Sequence, residues 1–218
     1  MVLRKKLPST ASVVHEAGRG QLHSPAAERN ASDIVRVVVE NAPQKGDALE
    51  IASGTGQHIV ELAVAVPGLI WQPSDLDPDR LASIKARYFE RQLPNLLPPV
   101  HLDATTTVWA DLCPKYDFIL LVNLIHLLSA DEVDLLIAGI AQSLNPTGRC
   151  VIYGPFMRNG LFASRGDEDF HRSLIEADPD IGYKDDRWIF DVFQRKELKS
   201  IKVIELPANN LAFVIEKL

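Results

Sequence analysis

The sequence is short of the features that mark several functional classes. Only two cysteines occur among its 218 residues, Cys113 and Cys150, in no C-x-x-C pair and beside no spaced histidines. Reduced thiols are expected, with no structural zinc and no other metal site. Basic residues are outnumbered, 23 Lys and Arg against 29 Asp and Glu, for a formal charge of -6. A chain without a basic footprint gains little from a phosphate backbone, so nucleic acid is a poor candidate partner. A small molecule is the better candidate, with a partner protein as the remaining choice. No stretch approaches the roughly 18 to 20 consecutive apolar residues of a membrane span, and no apolar run opens the chain as a secretory signal would. The expected location is therefore inside the cell, in the cytoplasm. Residues 1–24, with Arg4, Lys5, Lys6 and no acid before Glu16, read as a flexible basic tail. An organelle transit segment has a similar composition, which leaves organelle targeting open.

What is present is an alternation of helix and strand. A helical apolar face at Ile34, Val35, Val37 and Val38 precedes a strand at Ala48–Ala52, and Ile59, Val60, Leu62, Ala63 and Val66 recur at helical spacing. A short strand from Leu69 to Gln72 leads to Asp77-Pro78, an N-cap with proline in the first helical position. Further on come Val100-His101-Leu102, a strand from Phe118 to Val122, and a helix opened by the capping box Ser129-x-x-Glu132. A strand at Cys150–Tyr153 follows the turn Asn145-Pro146-Thr147-Gly148. Strands separated by helices of this length require right-handed crossovers and a mostly parallel sheet covered on both faces. The fold class is α/β, a Rossmann-like doubly wound sheet. A helix near Asp185–Leu198 and two runs, Ile201–Leu206 and Leu211–Ile215, predict a C-terminal antiparallel hairpin. One domain over residues 25–218 is expected, with an insertion at about 154–187, where a substrate site is often built.

The first strand ends in Glu50-Ile51-Ala52-Ser53-Gly54-Thr55-Gly56. Glycines at a strand-to-helix turn let the backbone approach a nucleotide-like ligand. A dinucleotide fingerprint starting at Gly54 would need a third glycine where Ile59 stands, so an NAD-dependent oxidoreductase is disfavoured. Nineteen positions after Gly56, Asp75 ends the second strand, where a carboxylate can accept from both hydroxyls of a ribose.

The turn resembles motif I of class I S-adenosylmethionine-dependent methyltransferases, E-x-x-x-G-x-G, matched by Glu50, Gly54 and Gly56. That resemblance implies S-adenosylmethionine as cofactor, with Glu50, Ser53, Gly54, Thr55 and Gly56 at its methionine part and Asp75 at the ribose. It also implies Asp103 near the adenine and Asn123 after the fourth strand. More narrowly, Pro25–Asn30, Glu50–His58, Trp71–Asp75, Asn123–His126, Tyr153–Phe156, Asn159-Gly160, Asp167–Phe170 and Pro207–Asn210 resemble the methyltransferase-like 26 family from about Ser24 to Leu218. Lys184 stands where that likeness implies arginine, which turns a bidentate fork for a substrate carboxylate into a point charge.

The expected activity is methyl transfer to a small-molecule acceptor by in-line displacement, which needs positioning more than acid or base groups. His126 is the first candidate for orienting the acceptor or taking its proton, followed by Tyr153 and Asn159. Glu28, Arg29, Asn30 and His58 are candidates for a lid over the substrate. Trp71, Trp109 and Trp188 read as core filling, and Asp167, Glu168 and Asp169 as the cap of a helix carrying Phe170 and Leu174. The alternative function is a cofactor-binding module that docks a partner protein without turnover.

Overall fold

In the order of the chain, the elements of the computed structural model show how the sheet comes to present its carboxyl ends. Residues 13–111 and 113–218 are described, so the first half of the expected tail lies outside them. Two short strands, β1 (His15–Glu16) and β2 (Leu22–His23), form a hairpin. They are followed by α1 (Pro25–Asn41), β3 (Gly46–Ile51), α2 (Gln57–Ala65), β4 (Leu69–Asp75), α3 (Pro78–Arg91) and β5 (Val100–His101). The second half contains β6 (Tyr116–Val122), α4 (Ala130–Ser143), β7 (Leu144–Pro155), α5 (Arg165–Ala177), α6 (Asp186–Arg195), β8 (Leu198–Leu206) and β9 (Asn210–Lys217).

The main sheet has seven strands in the order β5-β4-β3-β6-β7-β9-β8. From β5 to β7 every pairing is parallel, and β9 and β8 close the edge as the expected antiparallel hairpin. The chain winds outward from β3 to β5, then returns to place β6 on the other side of β3. Such a switch point opens a crevice at the carboxyl ends of the strands, the usual seat of a ligand in this architecture.

Side chains alternate between two cores as strand geometry requires. Ala48, Phe118, Leu120, Val151, Ala212 and Val214 pack with Ile34, Val37 and Val38 of α1 and Ile59 and Leu62 of α2. Their neighbours Leu49, Ile51, Ile119, Leu121, Cys150, Ile152, Phe213 and Ile215 pack against α4 and α6. Trp71 and Trp109 are fully buried in these two layers, as core filling requires.

Local details differ from the sequence reading. Asn145–Gly148, expected as a turn, is taken into β7 as an irregularity, with Thr147 at φ 61° and the pairing to β6 jumping between Tyr116 and Phe118. The cap of α5 is Ser164, whose hydroxyl accepts from the Asp167 N–H, so Asp167 and Glu168 occupy the first turn rather than the cap. Residues 13–24, assigned to the tail, include the β1–β2 hairpin, which is fastened to α3. The Leu22 N–H donates to Ser83 Oγ at 2.8 Å, and Arg87 donates to the Leu22 carbonyl at 2.7 Å.

Candidate functional site

A cavity of about 1000 Å³ opens where the carboxyl ends of β3, β4, β6 and β7 meet. Its wall carries Ser53, Gly54 and Thr55 from the glycine turn, Asp75 from β4, Asp103 after β5 and Asn123 after β6. These are six of the eight residues expected at a cofactor, gathered from four separate strand ends. Glu50 and Gly56 stand behind the wall, Glu50 within β3 and Gly56 as the N-cap of α2 with φ 79°.

The turn is held in shape by Asp75. One carboxylate oxygen accepts from the Gly54 N–H at 2.9 Å and the other from the Asp77 N–H at 3.0 Å. Burial pushes the Asp75 carboxyl upward, opposed by those amide donors and by Arg80. Deeper in the sheet, Glu50 is fully buried and its pKa rises to about 8, chiefly from lost hydration, with the Asp75 charge adding to the rise. Its Oε2 has no hydrogen-bond partner. A buried acid oxygen left unpaired is costly and marks a place where an incoming cation or donor is favoured.

Three non-glycine residues on the wall hold left-handed backbone, Ala52 at φ 54°, Asn123 at φ 53° and Ala208 at φ 54°. Asparagine tolerates this region, whereas an alanine there costs about 1–2 kcal/mol. Glycine recovers that cost but loses about 0.5–1 kcal/mol to its freer unfolded chain. Ala52→Gly is therefore expected to stabilise the protein by about 0.5–1 kcal/mol, read as a higher midpoint in urea unfolding; an unchanged or lower midpoint contradicts the strain.

Opposite the glycine turn, the start of α1 closes the cavity with Ser24, Pro25, Ala26, Ala27 and Arg29. Gln57 joins the two sides: its Oε1 accepts from the Ser24 N–H at 2.6 Å and from Thr55 Oγ1 at 2.8 Å. Beneath, the Thr55 carbonyl accepts from Ser83 Oγ and Arg87 Nε, each at 2.9 Å. Gln57, Ser83 and Arg87 were missed in the sequence reading. Arg80, Ser83 and Arg87 do recur at helical spacing on one face of α3, which was the available signal.

The remaining candidates separate into two groups. His126, His58 and Arg29 line the cavity, whereas Glu28, Asn30, Tyr153 and Asn159 do not. Glu28 faces His23 at 3.3 Å on the surface. Tyr153 points to the α1 side of the sheet, where its hydroxyl bonds with Asn30. Asn30 Oδ1 in turn meets His58 Nε2 at 2.8 Å, so this polar chain ties α1 to the sheet. Asn159, at φ 54°, accepts from Arg187 Nε at 2.6 Å in an exposed turn. An orienting role for Tyr153 or Asn159 therefore has no support from position.

His126 sits in a short turn after β6, 4% exposed, with Nδ1 unpartnered. Burial, with the nearby Lys184 charge, pushes its pKa down to about 3. Around it stand Phe170 and Tyr183, with ring centroids 5.8 and 6.2 Å from the imidazole. Lys184 is not on the cavity wall. Its ammonium donates to the carbonyls of Leu128 at 2.6 Å and Gly182 at 2.8 Å, so it pins the insertion to the His126 turn instead of awaiting a substrate carboxylate.

The family described as "Protein of unknown function (DUF938)" matches residues 21–217. Among solved structures, the chain is similar to an O-methyltransferase family protein from Burkholderia thailandensis, at 18% identity and TM-score 0.75 over 88% of this chain and 57% of that one. An O-methyltransferase family 2 protein from Planctomyces limnophilus, in complex with apigenin, superposes at TM-score 0.74 and 17% identity, covering 88% and 60%. Human N-acetylserotonin methyltransferase in complex with SAM does so at TM-score 0.73 and 11% identity, covering 88% and 52%. The chain thus spans a little over half the length of these structures, which share its mostly parallel sheet.

Proposed function

The chain belongs to the DUF938 family, and we propose that it is a methyltransferase that uses S-adenosylmethionine to methylate a small-molecule acceptor. The observation that carries this reading is the convergence of Ser53, Gly54, Thr55, Asp75, Asp103 and Asn123 on one cavity at the switch point of the sheet. The residues present fit the cofactor. Asp75 has its carboxylate on the wall at the end of β4, where ribose hydroxyls can donate to it, and Glu50 offers an unpaired buried oxygen beneath the turn that meets a cationic amino acid moiety. When bound, S-adenosylmethionine supplies an electrophilic methyl group. Neighbours solved with SAM or its product, and one with apigenin, support the cofactor and a small acceptor. The narrower likeness to the methyltransferase-like 26 family belongs to the same proposal, as does a single domain over residues 25–218 whose insertion at 154–187 roofs the acceptor.

In this reading the chain positions reactants rather than exchanging protons with them. The glycine turn, Asp75 and Asn123 fix one reactant, and the turn carrying His126 faces the other. An imidazole whose basicity is as low as that of His126 stays neutral and orients an acceptor hydroxyl by a hydrogen bond, while the proton that the hydroxyl loses on methylation passes to water. Arg29 and His58, at the start of α1 and α2, close the entrance. A binding module without turnover would have no use for the second half of a cavity this large, so catalysis is the preferred reading.

The test is transfer of label from methyl-tritiated S-adenosylmethionine in a small-molecule cell extract. Label is expected in a small-molecule product, with S-adenosylhomocysteine released in equal amount. Label that stays in the cofactor, or moves only into protein, contradicts the proposal.

A further inference from the structure

Resting on the methyltransferase reading, we propose that the acceptor is an uncharged, flat, ring-bearing molecule with one hydrogen-bonding group. It would be held in the half of the cavity formed by Leu124, His126, Leu128, Pro155, Phe170 and Tyr183. All six line the cavity, and none carries a formal charge at neutral pH. The charged lining residues, Arg29, Asp75, Asp77, Arg80 and Asp103, come from α1 and from the segments around β4, α3 and β5.

The charges nearest the apolar half are already committed. Asp167 is nearly buried and accepts from Ser164 Oγ at 2.7 Å, Asn209 Nδ2 at 2.9 Å and the Tyr183 hydroxyl at 3.2 Å. Lys184 is taken up by the Leu128 and Gly182 carbonyls. Neither lines the cavity. A carboxylate or ammonium entering here would shed its water and find no counter-charge on the wall, since the Lys184 and Asp167 charges act only from behind it, a cost that apolar contact does not recover.

The polar inventory then limits the acceptor to a single anchored group. The Tyr183 hydroxyl is spent on Asp167, so the residue offers its ring. Phe170 and Tyr183 stand edge to face at 6.1 Å and 75°, and each meets the His126 ring at 61° and 64° respectively. Such walls favour a flat apolar partner. The one buried side-chain polar atom left without a partner among these residues is His126 Nδ1, which sets where a hydroxyl or neutral amino group lies.

The experiment compares three probes on one ring system, 2-naphthol, 2-naphthoate and 2-naphthylmethylammonium, by equilibrium titration of the full chain saturated with S-adenosylhomocysteine at pH 7.5. The expected result is that 2-naphthol binds about 100-fold more tightly than either ion, as an unpaired buried charge requires. Phe170→Ala and the milder Phe170→Leu are expected to weaken 2-naphthol about tenfold and about threefold, leaving S-adenosylhomocysteine binding as it was. Binding of either ion within tenfold of 2-naphthol, no binding of 2-naphthol, or indifference to both Phe170 variants overturns the proposal. Loss of S-adenosylhomocysteine binding alone overturns the methyltransferase reading, while the same probes still report the preference of the apolar half.

Discussion

Asp75→Ala is expected to weaken S-adenosylmethionine binding about 100-fold, or about 2.7 kcal/mol. Two effects add. The carboxylate accepts from the Gly54 and Asp77 N–H groups, and losing it leaves two partly buried donors unpaired, at about 1–3 kcal/mol for each that finds no water. The same oxygens are the acceptors in this account for the ribose hydroxyls. Asp75→Asn keeps the shape and one acceptor, so its loss should be smaller, about tenfold. Calorimetric titration separates the two variants from the wild type. Affinity within a few-fold of the wild type for Asp75→Ala would place the cofactor elsewhere.

The second large effect is a loss of stability toward acid. His58 and His126 are buried with pKa values pushed to about 4 and about 3, so the native protein keeps both neutral where the unfolded chain takes protons. Below the unfolded value near 6.5 each removes about 1.4 kcal/mol per pH unit. Glu50 acts in the opposite sense. Its folded pKa of about 8 lies above the unfolded value, so its contribution is full below about pH 4.5 and is lost as pH rises through 8. Asp75, also raised, acts in the same direction as Glu50 at lower pH. Between about pH 6.5 and 4.5 the two histidines outweigh Glu50 by about 1.4 kcal/mol per unit, and above 6.5 Glu50 alone declines. Urea unfolding should therefore show greatest stability near pH 6.5, with lower values at pH 5 and pH 8. Equal stability at pH 5 and 6.5 would mean that the histidines are hydrated or paired.

The features legible in the sequence were those written in local patterns. Alternating runs such as Ala48–Ile51 and Phe118–Val122 face two cores, and the crossover rule then orders the strands. Gly54, Gly56 and Asp75 could be located because turn chemistry and strand ends are local properties. The hairpin at residues 13–24 was not legible, because its two-residue strands are held by Ser83, Arg87 and Glu90 on a helix some 60 to 70 positions away. The positions of Tyr153 and Asn159 off the cavity wall were not legible for a related reason. A strand's alternation decides which face a residue serves, and Tyr153 falls on the α1 face while Asn159 lies in an exposed turn.

Lys184 illustrates the same limit. The family resemblance implied a substrate-facing cation at this position, but its two carbonyl partners come from the tertiary meeting of the insertion with the turn after β6. Phe170 and Tyr183 reach the cavity by that meeting too, which is why the aromatic half of the site had no sequence signature.

The cofactor assignment is tested most directly by calorimetric titration of the wild-type protein with S-adenosylmethionine and, separately, with NAD, in two buffers of different ionisation heat at pH 7. One-to-one binding of S-adenosylmethionine is expected, accompanied by release of protons as the protonated Glu50 carboxyl ionises beside the bound cation, and no binding of NAD. No heat with S-adenosylmethionine, or binding of NAD in its place, would contradict the cofactor assignment and leave the fold without its proposed chemistry.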